Sequence, residues 1–402
     1  MSDQKPSPIL TAAPETIRVL PTPLYVATSA ACLTNAWCDW LGYTVPESYT
    51  SLAQELDALK EHAGLMDISP LGKYVVTGRD IAAYMEHTFV ASLDGVEVGH
   101  SVLSPFCQSN GKTINIAEIS HLAEQYWWIN VPGRHLHWLE EAAIGFDVEV
   151  RDLTEAYAGV CLTGPASGEI LDAIGLGGLR DLPQGRAMHL ALDDLTLIVT
   201  RPLHESDTGY SLWCSADKGE AFWTHLSEAG RSLGLLPVGR HAATVRRIEV
   251  GLPEAGAEFV SSPQARHNDR RHSPIALGFQ GYIDFSKPAF NGRAALQEEL
   301  ARERSLRLVQ LTFEGSAPPP GTHIFEKTRL PANLLSQPIG IITSSTTLPD
   351  RASALALGLL KPDIANPGQE VFVEYQETQE AVIQKAGAAG RIVTTPQFTL
   401  LP

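Results

Sequence analysis

One stretch constrains this chain more than any other: residues 273–296, SPIALGFQGYIDFSKPAFNGRAAL. It reads as a loop ending at Ser273-Pro274, then an apolar run, 275–285, that holds Gly278 and Gly281. Two glycines inside an apolar strand mark the close approach of another backbone or of a flat ligand, so 275–285 is expected to be a strand. A turn follows at Lys287-Pro288, and a helix is expected to open near Asn291-Gly292.

A chain of 402 residues is long enough for two or three domains. Apolar residues make up 44% and charged ones 19%, which gives ample core for a globular protein. The net charge of −16 argues against a nucleic-acid partner, since phosphate neutralisation needs a basic face. The five cysteines, Cys32, Cys38, Cys107, Cys161 and Cys214, form no C-x-x-C pair and read as reduced thiols. The histidines form no ligand pair at helical spacing, so no metal is expected. No signal-like start and no run of about 18 apolar residues is present, which implies no membrane span and a cytoplasmic location.

In chain order, residues 1–20 read as a polar, Pro-rich tail, and 22–49 as an irregular aromatic stretch. Ser51 is expected to cap a helix over 51–64, with Gln54 completing a capping box and Gly64 stopping it. Strands are expected at 73–77, 101–106, 113–119, 125–131 and 147–152, the second and third joined by the Asn110-Gly111 turn. Helices fall at 79–87 and 133–144. A second run repeats the plan, with a strand at 159–162, a helix at 167–174, strands over 190–201 and 209–214, and a helix at 218–233. From about residue 305 the pattern becomes short strands punctuated by Pro and Gly, as in a small closed barrel.

Several of these phrases occur in an order that resembles the aminomethyltransferase family, the glycine-cleavage T-protein and its folate-dependent demethylase relatives. They are AGLMDISPLG (63–72), LTGPAS (162–167), VRRIEVGLP (245–253), the 273–296 stretch and PIGIITSS (338–345). The resemblance spans about residues 20–396. It implies an α+β fold of two pseudo-repeated α+β halves, 21–150 and 151–300, followed by a C-terminal β-barrel domain over 305–402. It also implies a folate channel between them, in which an aspartate, a glutamate and an arginine hold the pterin.

At those three places this chain differs. Asn115 stands where the resemblance implies the aspartate, Ser211 where it implies the glutamate after Tyr210, and Ala243 where it implies the arginine. A serine cannot replace the charge-assisted bonds of a carboxylate to a pterin edge, a loss of about 2–4 kcal/mol in a buried site. A neutral Asn115 cannot act as a base. The loop around His204, Glu205 and Asp207 offers either an acid/base pair or a solvated turn. Asn130 matches a ligand-side asparagine of the family, Arg247 and Glu249 are expected to pair with each other or with backbone, and the basic segment 265–273 is either a solvated run or an anion anchor.

The first functional expectation is therefore an enzyme that removes a one-carbon unit at the formaldehyde level from an aromatic small molecule, by retro-aldol cleavage without a cofactor. His204, Asp207 and Asn115 would be catalytic there, and Asn130, Arg247, Glu249, Ser211 and Tyr210 would bind substrate. The alternative is a tetrahydrofolate-dependent O-, N- or S-demethylase or methyltransferase, and a second alternative is a non-catalytic ligand-binding member. The sequence leaves the oligomeric state open.

Overall fold

The structure is a computed structural model that describes residues 19–201, 209–263, 270–302, 305–326, 337–349, 353–379 and 382–396. It opens with β1 (Leu20–Pro21), α1 (Tyr25–Ala31), β2 (Ala36–Trp40) and β3 (Tyr43–Ser48), whose strands form a small sheet in the order β1-β3-β2. The aromatic stretch expected to be irregular is thus a helix and a hairpin. Its aromatics follow no period because they serve different neighbours: Tyr25 packs on Trp37 at 5.4 Å, and Tyr49 stacks on Trp223 at 6.4 Å.

Helix α2 (Leu52–Glu61) begins with the expected capping box, in which Ser51 accepts from the Gln54 N–H and Gln54 reaches back to Ser51. Within it Glu55 is fully buried. Its carboxylate accepts from the N–H groups of Tyr49 (2.6 Å), Thr50 (2.9 Å) and Gly239 (2.8 Å), tying three segments together.

The chain continues through β4 (Ala63–Asp67), β5 (Gly72–Gly78), α3 (Ile81–Thr88), β6 (His100–Cys107), β7 (Thr113–Ala123), β8 (Tyr126–Val131), α4 (Leu136–Ala142) and β9 (Val148–Asp152). Five of these strands form an antiparallel sheet, β6-β7-β8-β5-β9. The left-handed Gly111 (φ +75°) makes the turn between β6 and β7.

The second run comprises β10 (Tyr157–Thr163), α5 (Ser167–Ala173), β11 (Ala187–Leu192), β12 (Leu195–Thr200), β13 (Tyr210–Ser215), α6 (Gly219–Gly230), β14 (Leu235–Pro237), α7 (Arg240–Glu249) and α8 (Arg293–Arg302). Its sheet runs β11-β12-β13-β10-β4-β14. The early strand β4 is inserted here, antiparallel to β10 and parallel to β14, so the two halves interlock.

Period-2 alternation explains how the sheets are covered. On β8, Trp127, Ile129 and Val131 join Tyr84 of α3 and Leu139 of α4 in one apolar cluster. Trp128 points the other way and meets Trp213 of β13 at 6.3 Å, in a second cluster with Val75, Ile68 and Ile198. Truncating a tryptophan buried like either of these costs on the order of 3–5 kcal/mol.

The C-terminal strands β15 (Arg307–Glu314), β16 (His323–Glu326), β17 (Gly340–Thr347), β18 (Ser353–Leu360), β19 (Glu370–Gln379) and β20 (Val382–Thr394) close into a barrel, in the order β15-β18-β17-β16-β19-β20. Strand β16, HIFE, is too short to show alternation in the sequence. The barrel seats on α7. Gln310 donates to the carbonyls of Ile248 and Glu249, both at 2.8 Å, and Ile248 packs with Leu308, Leu357 and Leu359.

The strand expected at 275–285 is a series of turns instead. The Phe279 N–H bonds to the Pro274 carbonyl at 2.8 Å and the Tyr282 N–H to that of Phe279 at 3.0 Å, while Gly278 is left-handed (φ +89°). The Ser273 hydroxyl accepts from the Ala276 N–H and nucleates the first turn. Leu277, Phe279 and Tyr282 are buried against Phe259 and Leu103, so the run is apolar because it is core. The helix after Gly292 is α8, where it was expected.

Candidate functional site

A cavity of about 370 Å³ lies where β7 and β8 of one sheet, β4 and β10 of the other, and α7 converge. Most of its wall is apolar, including Met66, Leu71, Leu103, Val131 and Leu252. Two sets of polar residues on it come from elements with different periods.

The first set comes from a row across the five-stranded sheet. Leu103 of β6 pairs with Glu118 of β7, Glu118 with Asn130 of β8, and Asn130 with Lys73 of β5. Leu103, Glu118 and Asn130 reach the cavity wall, whereas Lys73 is sealed behind them with no exposed surface. Glu118 Oε1, both amide atoms of Asn130, and Thr200 Oγ1 at the end of β12 are all buried with no hydrogen-bond partner outside their own cluster. Asn130 and Thr200 lie close enough to favour the charged carboxylate, but burial outweighs them and pushes the Glu118 carboxyl up to about 7. Groups of this kind in a native fold signal a ligand or an ordered water.

The second set comes from one face of α7. Arg240, Ala243, Arg246, Arg247 and Val250 line the cavity at helical spacing. Arg240 bonds Glu254 at 2.8 Å and lies over the Trp40 ring at 4.1 Å. Arg247 is bound by Glu258 (2.6 Å), Glu254 (3.1 Å), the Leu252 carbonyl (2.9 Å) and the Ser344 hydroxyl (2.9 Å), which fixes the barrel to the wall. Of the two pairings expected for Arg247, the one with backbone is made, at the Leu252 carbonyl, and the one with Glu249 is not, because residues two apart point about 200° from each other around a helix. Glu249 bonds Arg246 at 2.5 Å and meets Lys60 at 3.8 Å.

The other predicted residues separate. Asn115 borders the cavity, but its amide nitrogen donates to the Pro132 carbonyl (2.6 Å) and lies 3.1 Å from His135 Nε2, while its oxygen accepts from the Ile116 N–H. With both ends engaged, the amide holds the Pro132 turn, and the catalytic place given to it is corrected to a positioning one. Tyr210 is corrected as well. Its ring is in the apolar core and its hydroxyl donates to the Leu179 carbonyl at 3.0 Å, so it packs. Ser211 is buried on β13 between Cys161 and Thr200 and does not border the cavity. His204, Glu205 and Asp207 lie outside the described residues, as do residues 265–269 of the basic segment.

Sequence reading missed Glu118, Thr200, Arg240 and Arg246. For Glu118 the signal was present: an acid in the middle of TINIAEISHL opposes the apolar character of a buried strand and needs a reason. The arginines showed only as a helix face, which is legible once α7 has a partner.

A buried pair sits behind the row. Asp67 accepts from the Thr22 hydroxyl (2.7 Å) and the Ser69 N–H (2.9 Å), and burial raises its pKa. Lys73 donates to the Ser69 carbonyl (2.6 Å) and faces the Trp213 ring at 5.4 Å. Burial lowers its pKa to about 7 against the pull of Asp67.

Residues 30–285 match the GCVT N-terminal domain, and residues 306–387 match the glycine cleavage T-protein C-terminal barrel domain. An aminomethyltransferase of Moorella thermoacetica is 27% identical over 361 residues, covering 88% of this chain and 92% of that protein. One of Streptomyces coelicolor is 28% identical over 340 residues, covering 83% and 87%. The crystal structure of aminomethyltransferase T from Bartonella henselae superposes with a TM-score of 0.78 at 21% identity, over 94% of this chain and 98% of that one, and so shares the fold. With the N-terminal domain matched over more than half its length and the barrel following in order, the chain belongs to the aminomethyltransferase family of glycine cleavage T-proteins.

Proposed function

We propose that this protein transfers a one-carbon unit from a small, largely apolar donor to tetrahydrofolate, as a demethylase or methyltransferase, in the cavity beneath α7. One observation carries the reading: on a largely apolar wall, the Asn130 amide and the Glu118 carboxyl stand side by side across β7 and β8, buried and with no partner outside the small cluster they form with the Thr200 hydroxyl. A pterin edge, with N–H donors beside a carbonyl, complements an amide that offers both a donor and an acceptor. Asn130 would hold that edge, leaving Glu118 for the reacting nitrogen, and Arg246, partly exposed at the wall, would meet an anionic tail. When bound, tetrahydrofolate supplies the nitrogen that accepts the carbon. The chain supplies orientation through Asn130, exclusion of water through Met66, Leu71 and Leu103, and proton handling at Glu118.

Release of formaldehyde without folate was the first expectation from sequence, and it rested on the changes at Asn115 and Ser211. Those changes weigh less now, since Asn115 holds a turn, Ser211 stands off the cavity, and Glu118 brings a carboxyl to the wall. Titration calorimetry with tetrahydrofolate under anaerobic conditions tests the reading. Micromolar binding, weakened at least about tenfold in Asn130→Ala, is expected from the loss of two ligand bonds. No binding by the folded protein overturns it and returns the search to formaldehyde release from hydroxymethyl-bearing aromatics.

A further inference from the structure

We infer that Glu118 is a catalytic carboxyl of this cavity, carrying one proton between the one-carbon donor and its acceptor. The inference rests on the cavity being the transfer site, and it concerns a residue that the family resemblance did not single out.

Among the described residues two carboxyls reach the cavity wall, Glu118 and Glu254. Glu254 is held between Arg240 and Arg247, at 2.8 and 3.1 Å. The nearby acids behind the wall are engaged too: Glu258 bonds Arg247 and the Ser344 hydroxyl, and Asp67 is capped by Thr22 and Ser69. Glu118 alone of these meets no cation and no backbone N–H, only the neutral Asn130 and Thr200 side chains.

Its setting makes both protonation states accessible near neutrality. Burial favours the acid, Asn130 and Thr200 favour the carboxylate, and the balance falls at about 7. The second partner of Asn130 in the row, Lys73, has its ammonium turned to Ser69 and Trp213, on β5 rather than β7. Among the described residues no ion pair to Glu118 clamps it in the charged form.

The proton account closes. Glu118 gives the proton on its carboxyl to the donor heteroatom, which keeps the electron pair of its broken bond to carbon. Glu118 then takes one proton from the acceptor nitrogen, whose lone pair has made the new bond to carbon. One methyl group and one proton have changed places, the carboxyl is restored, and no oxidant or reductant is required.

The test compares wild type, Glu118→Gln and Glu118→Asp in two readouts. Calorimetry of tetrahydrofolate binding at pH 7, in buffers of different ionisation enthalpy, reports the protons exchanged on binding. Wild type is expected to exchange a fraction of a proton, and E118Q to bind within about tenfold while exchanging none. Single-turnover transfer from a methoxylated aromatic is expected to fall about 100-fold or more in E118Q, the usual scale for a lost acid/base group. E118D, which keeps a carboxyl, is expected to recover part of it and to shift the pH profile. Proton exchange retained in E118Q, or a loss of less than about threefold, overturns the inference. Absence of tetrahydrofolate binding in wild type overturns the reading of the cavity itself, a result distinct from either E118Q outcome.

Discussion

Two buried polar regions share one face of the five-stranded sheet, and they have been finished differently. At one end of the row, Asp67 and Lys73 are sealed and supplied with partners: the Thr22 hydroxyl, the Ser69 N–H, the Ser69 carbonyl and the Trp213 ring. At the other end, Glu118, Asn130 and Thr200 are as deeply placed in their polar atoms and have no partners outside their own cluster. Glu55 shows that this fold can satisfy a fully buried carboxylate when the role is structural, with three backbone N–H groups. The difference is therefore one of role. Satisfied groups hold segments together, and unsatisfied ones at a cavity wall wait for a ligand.

The largest test breaks the sealed end. Asp67→Ala removes the acceptor for Thr22 and Ser69 and takes from Lys73 its strongest counter-charge, at a cost of about 3–5 kcal/mol by urea unfolding. A loss below about 1 kcal/mol would mean the sealed end is not structural. The pH dependence carries a sign as well. The Lys73 pKa is depressed to about 7 from 10.5, so between those values the unfolded chain binds more protons, and stability rises with pH across that window.

A smaller effect of the opposite kind is expected at the open end. The Glu118 carboxyl is raised from 4.5 to about 7, so the folded chain binds more protons between those values. The stability it contributes is full below about 4.5 and is lost as pH rises through about 7. Glu118→Gln removes that dependence. It is expected to match wild type near pH 4 and to exceed it by up to about 3 kcal/mol at pH 8, read from unfolding midpoints at the two pH values. Equal stability at both would mean the carboxyl is solvated.

The contrast also marks how far sequence reading reaches. The capping box at Ser51 and Gln54, the Asn110-Gly111 turn and the alternation of β8 are local signals, written within a few residues, and they place α2 and the sheet. The 275–285 run misleads because burial makes a turn segment as apolar as a strand, and only the Ser273 cap distinguishes them. The site is less legible still. Asn130 and Arg247 were identified from family phrases, but Glu118 and Thr200 belong together only because β7, β8 and β12 converge, and Arg247 pairs with Glu254 and Glu258 across a loop rather than with its helix neighbour. Spacing along the chain carries no record of such meetings.

The finest test of the comparison is Thr200→Val, because it separates stability from binding. The hydroxyl of Thr200 is buried, has no partner outside the cluster and sits beside a carboxyl that burial pushes up to about 7. Valine fills nearly the same volume with the same branching, so β12 keeps its packing and loses only a polar group left unsatisfied. Thermal unfolding of the ligand-free protein should show a gain of about 1 kcal/mol, since an unpaired buried hydroxyl costs about that much. Tetrahydrofolate affinity should fall several-fold in the same variant, because Thr200 supports the charged form of the Glu118 carboxyl that borders the cavity. A structural hydroxyl would lose stability with affinity unchanged, and a spectator would change neither. Opposite signs in the two measurements are what an open, ligand-directed end of the row requires.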